Sequence, residues 1–156
     1  MAISDQKIFS DSTVEVARVD NLLVVWWRSA PNAAAIEVFG PRLEALVART
    51  DGLCLLGVTR GLSTIPDEPT RKLAAGFIRK LAPRLRAGAF AIEDEGFRAA
   101  AARAVVTGLL AIAPLPLTVR IFGSVDDATG WLAPQLGIHG DDMRASVVSA
   151  VRALVT

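Results

Sequence analysis

The run Leu-Cys-Leu-Leu-Gly-Val at residues 53–58 is apolar throughout, bounded by glycines and too short for a helix. Such a run fits a strand covered on both faces, of the kind found centrally in open α/β sheets. Ligands in those sheets collect at the carboxyl ends of the strands. The loop that follows carries Arg60, Ser63 and Thr64 and leads into a helix near Pro69. That loop is the first place to look for a site.

Around it, the chain alternates. Residues 1–12 are polar and read as a loosely held segment. Thr13 to Val19 alternates apolar and polar residues, the mark of a strand with one wet face. Asp20-Asn21 supplies a turn, and Leu22 to Arg28 is a second strand, apolar on both sides. Trp26 and Trp27 must therefore point to opposite faces of the sheet. Asn32 is placed to cap a helix whose buried face is Ile36, Phe39, Leu43, Leu46 and Val47. Gly40-Pro41 predicts a kink in it, or a division into two short helices. After the central strand, Leu73, Phe77, Ile78 and Leu81 form the stripe of a second helix ending near Pro83. Arg86 to Ile92 contains a fourth strand, and an Ala-rich helix runs from Phe97 to about Ala111. Leu117 to Phe122 is a fifth strand, Ser124 caps a further helix, and Asp141 to Val155 is the last.

The order is β-β-α-β-α-β-α-β-α with an extra C-terminal helix. Strands alternating with helices imply right-handed crossovers and a mostly parallel five-stranded sheet, opened by an antiparallel hairpin. At 156 residues the chain makes one α/β domain, expected over residues 13–137 and followed by a linker and helix over 138–156.

The bulk numbers exclude several functions. With 52% hydrophobic residues, disorder is out. Seventeen basic residues against 16 acidic ones leave no field to attract nucleic acid. The longest apolar stretch, 104–119, is shorter than the roughly 20 residues that span a bilayer and contains two prolines. The N-terminus has no apolar signal core, and the single cysteine, Cys54, reads as a packed thiol in a reducing compartment. A cytoplasmic protein without an integral membrane segment is expected.

Catalytic chemistry finds little to stand on. His139 is the only histidine and sits between glycines, so neither a metal site nor a histidine-assisted nucleophile can be assembled. The phosphate-cradling G-x-G-x-x-G and G-x-x-x-x-G-K-S/T loops and the G-x-S-x-G elbow are all missing. Glu93, Asp94 and Glu95 offer paired carboxylates, although acids before a helix also serve as caps and dipole partners. No enzyme and no cofactor are expected.

Two places remain for function. Ser63 and Thr64 precede a helix N-terminus, where a phosphate would meet helix amides and the cations Arg60 or Arg71. The same hydroxyls also suit a plain helix entry. On the helix from Phe97 to Ala111, one face holds Phe97, Ala101, Ala104, Val105, Gly108 and Leu109 and is expected on the sheet. The opposite face, Ala99, Ala102, Val106 and Leu110 with Arg103 as its main charge, is also apolar. It predicts a second cover, either the C-terminal helix or another protein chain.

In its opening hairpin (Leu-Val-Val-Trp-Trp), its central strand and loop, and above all Leu-Thr-Val-Arg-Ile-Phe-Gly-Ser-Val-Asp-Asp-Ala-Thr-Gly-Trp-Leu near the end, the chain resembles the STAS/SpoIIAA-like family of small bacterial domains over roughly residues 13–133. The resemblance implies a non-enzymatic regulatory module that binds a protein partner or itself. Its loop after the central strand would then be a phosphorylation switch. The family's Asp-Ser-Ser/Thr-Gly-Leu type site has no counterpart in Gly-Leu-Ser-Thr-Ile-Pro-Asp-Glu, so an anti-sigma-factor-antagonist role is not expected. The alternative that the same fold group implies is a carrier or sensor of a small apolar or anionic ligand, a lipid or a nucleotide.

Overall fold

The structure, a computed structural model, describes residues 5–60, 66–93, 96–112 and 116–156. Its strands are β1 (Asp5–Ser10), β2 (Val14–Val19), β3 (Leu22–Trp27), β4 (Leu53–Thr59), β5 (Leu85–Ile92) and β6 (Thr118–Phe122). Its helices are α1 (Ala33–Arg49), α2 (Glu68–Leu81), α3 (Gly96–Ile112), α4 (Val125–Leu132) and α5 (Asp141–Leu154). The strands form one sheet in the order β1-β2-β3-β4-β5-β6, antiparallel through β3 and parallel from β3 onward. The expected α/β architecture is present, with β4 inside the sheet.

One strand is additional. Residues 5–10 were expected to hang loosely, yet they pair antiparallel with β2 as a sixth, edge strand. Asp5, Gln6 and Lys7 are exposed, so the strand shows no hydrophobic period. Ile8 and Phe9 pack against the core, and Lys7 reaches Glu15 at 3.3 Å. Charge along such an edge discourages a further strand from adding to it.

Sequential strand order has a geometric consequence. Each right-handed crossover that steps the same way across a sheet lays its helix on the same face. Accordingly α1, α2 and α3 share one face, and α4 and α5 cover the other. Along β3 the side chains divide as alternation requires. Leu22, Val24 and Trp26 join the core under α4 and α5, while Leu23, Val25 and Trp27 join the core under α1 and α2. Each tryptophan is 8% exposed. Both indoles are covered from within the chain.

The helix signals act as the residues dictate. The Asn32 side chain accepts from the Ala35 amide at 2.8 Å and donates to the Thr13 hydroxyl at 3.0 Å. Ser124 accepts from the Asp127 amide at 3.1 Å. Of the kink or division expected at Pro41, the division does not occur, and α1 runs through the proline as one helix. Pro41 lies on the exposed side, and the carbonyl its missing N–H leaves over belongs to Glu37, itself exposed, where water can satisfy it. The C-terminal helix does not fold onto α3. Val147 and Val151 of α5 are buried with α4 against the opposite face of the sheet.

Candidate functional site

The site is built by small residues. Facing α2 and α3, β4 presents Leu55, Gly57 and Thr59, and β5 presents Gly88 and Phe90. Glycine inside a strand leaves a hollow in the sheet surface. α3 then approaches with alanines: Ala99 and Ala102 are buried with Ile92, and Val106 packs beside them. An Ala-lined helix over a Gly-bearing sheet cannot fill the space between them. What remains is a cavity of about 320 Å³. Phe39 of α1, Ala74, Phe77 and Ile78 of α2, and Ala101 and Val105 of α3 complete its walls. Phe97 also lines it and is 89% exposed, so the cavity reaches the surface there.

A closed, empty void of 320 Å³ would cost on the order of 8 kcal/mol. That rivals the whole stability of an ordinary domain. The opening at Phe97 admits water and relieves part of this cost, but apolar walls give water few hydrogen bonds. Such a space is better filled by an apolar molecule.

Polar groups on the wall come from the carboxyl end of β4 and the first turn of α2. Thr70 donates through its amide, at 2.8 Å, and its hydroxyl to the Asp67 carboxylate that caps α2. These bonds and the nearby Arg71 charge hold the Asp67 carboxyl below its ordinary value. Arg71 donates one N–H to the Pro66 carbonyl and has no carboxylate within ion-pair distance among the described residues. Among the described residues the buried hydroxyl of Thr59 has no hydrogen-bond partner.

The residues singled out from sequence are distributed differently. Arg60 turns away from the cavity: it donates to Glu93 through Nε at 3.0 Å and again through Nη2, and to the Val155 carbonyl at the end of α5 at 2.7 Å. The other oxygen of Glu93 accepts from the Val125 amide at the start of α4, at 3.1 Å. Arg60 and Glu93 thus clasp the far-side helices to the carboxyl edge of the sheet. Glu93 does cap a helix, but α4 instead of the neighbouring α3. Ser63 and Thr64, with Asp94 and Glu95, lie outside the described residues.

The two faces of α3 are not divided as expected, since Ala101 and Val105 of the face expected inward line the cavity while members of both faces turn inward. Ala99 and Val106 face the sheet, Leu110 is half-buried, and Phe97, Ala104 and Gly108 are exposed. Arg103 stays exposed. Ala99 is therefore buried within the chain, and α5 does not cover this helix. Small side chains on this helix leave the cavity between it and the sheet, and the bulky Phe97 stands at its mouth.

Thr59, Gly57 and Phe90 were not singled out from sequence. The one available signal was Gly57, since glycine within a buried strand marks a close approach by a ligand or another group. Compared with known proteins, the chain matches no family model and no curated protein. Among the described residues no three His, Cys, Asp or Glu side chains gather as a metal site, and no helix is long and apolar enough to cross a membrane.

Proposed function

We propose that this protein is a non-enzymatic binding module of STAS/SpoIIAA-like type, placed in the cytoplasm, that carries or senses a small, largely apolar molecule. The cavity between the sheet, α2 and α3 is the observation that carries this reading. Its volume lies at the lower end of the range for small-molecule sites, and its wall is apolar with few polar groups. Trp27 lines the same cavity, so occupancy should alter tryptophan emission.

The test is to extract the purified protein for mass spectrometry and titrate it with 1-octanol and nitrobenzene, both small enough for the space, following tryptophan fluorescence. Saturable, mutually competitive binding is expected, lost in Ala101→Trp, which fills the cavity from α3. Binding that does not saturate, or that survives Ala101→Trp at full strength, refutes the assignment.

A second reading, a protein partner or a second copy of the chain, has one observation in its favour: the 89% exposure of Phe97. Light scattering of wild type and Phe97→Ser separates the two. A mass that falls in the variant supports the partner reading.

A further inference from the structure

The cavity is polarised along its length. Descending β4 from its carboxyl end, its wall changes from Thr59 through Gly57 to Leu55. Descending α2 from its first turn, it changes from Thr70 and Arg71 through Ala74 to Ile78. A crossover helix runs antiparallel to its strands, so both series pass from polar to apolar in the same direction. The polar end is also the open end, because Phe97 belongs to the first turn of α3.

Two groups at that end have donors to spare. The Thr59 hydroxyl is buried and unbonded among the described residues. A buried hydroxyl without a partner carries a desolvation cost that a ligand atom would relieve. Arg71 offers further N–H donors beyond the one given to Pro66. The other charges of that turn are engaged: Asp67 with Thr70, and Glu68 with Lys72 at 3.1 Å.

We propose that the ligand is a medium-chain monocarboxylate, its head at Thr59 and Arg71 and its chain directed toward Leu55 and Ile78. The inference rests on the cavity being the ligand site. At about 30 Å³ per water-sized group, the 320 Å³ space takes on the order of ten non-hydrogen atoms. A guanidinium and a hydroxyl match the flat, singly charged carboxylate. A phosphate monoester would bring additional negative charge toward Asp67.

Calorimetric titration of the full chain with octanoate, 1-octanol and octyl phosphate tests this. Octanoate should bind roughly tenfold or more tightly than 1-octanol, as expected for a charge-assisted hydrogen bond. Arg71→Gln should erase that preference with 1-octanol affinity kept, and Thr59→Val should weaken octanoate several-fold. Equal affinities of octanoate and 1-octanol for the wild type overturn the carboxylate head but leave the apolar site standing. Tighter binding of octyl phosphate than octanoate also overturns it. Binding of none of the three removes the site itself. The wild-type comparison decides the matter even where a variant fails to fold.

Discussion

Phe90 lies over Gly57, its partner on the adjacent strand, so closely that a Cβ on residue 57 would stand 2.8 Å from the ring. Real Cβ atoms do not come so near, and the ring would have to move. The adjoining free volume is the cavity that both residues line. Gly57→Ala should therefore fold at a cost of about 1 kcal/mol, with Phe90 displaced. Affinity for 1-octanol should fall several-fold and return in Gly57→Ala/Phe90→Leu. Unchanged affinity in the single variant would show that the ring moves elsewhere.

The Glu93 clasp yields a prediction about stability alone. Glu93→Ala removes the acceptor for Arg60 and for the Val125 amide together, and should cost about 1–3 kcal/mol. Arg60→Ala, which leaves the Val125 amide bonded, should cost less. Urea midpoints measure both. Ligand affinity should hold in each, since the clasp serves the opposite face of the sheet. An Arg60→Ala variant less stable than Glu93→Ala would reverse the assignment.

Two carboxylates set the response to acid. Partial burial pushes the Asp11 carboxyl up, but the hydroxyl and amide of Thr13, the amide of Val14 and the Arg28 charge outweigh it and hold it below 3.8. Asp67 is lowered by the hydroxyl and amide of Thr70 and by Arg71. A lowered folded-state value means that the contribution is complete above the ordinary carboxylate range and disappears as pH falls through the folded value. Stability should thus decline below about pH 4, and the decline should be shallower in Asp11→Asn and Asp67→Asn. Asn remains a good cap, so Asp67→Asn should change little at neutral pH. Identical acid transitions in all three proteins would contradict this.

Burial pushes the Cys54 thiol up to about 11, against small opposing effects of the Ala87 amide and the Arg86 charge. The reactive thiolate is therefore scarce at pH 8. A disulfide reagent such as dithionitrobenzoate should leave the native protein unlabelled for as long as it stays folded, and label one thiol per chain in urea. Rapid native labelling would place Cys54 at an accessible position.

Where a residue speaks through its immediate neighbours, sequence was sufficient. The opposed tryptophans, the caps at Asn32 and Ser124 and the doubly buried β4 all follow from local rules. β1 could not be seen because, Ile8 and Phe9 apart, its support is a backbone ladder with β2, which leaves no mark in side-chain hydropathy. α3 is apolar on nearly every side, so its hydropathy has no direction. Arg60 is a charge on a loop, and its partner, Glu93, lies 33 residues away in sequence. The cavity is volume left unfilled where three strands and three helices meet, and Gly57 was its only trace in the sequence.

Sequential strand order also governs how the chain is made. Each strand emerging from a ribosome finds its neighbour already present, so the sheet can extend by one strand at a time with short loop closures. Its second face has no such provision. Val24, Leu56 and Ala89 wait for Val125, Leu132, Val147 and Val151, which come last. Until then a six-stranded sheet has one helix-covered side and one bare apolar side, the state in which nascent α/β chains are most prone to stick to one another. Emergence of α4 and α5, and their closure through Arg60 and Val155, ends that exposure.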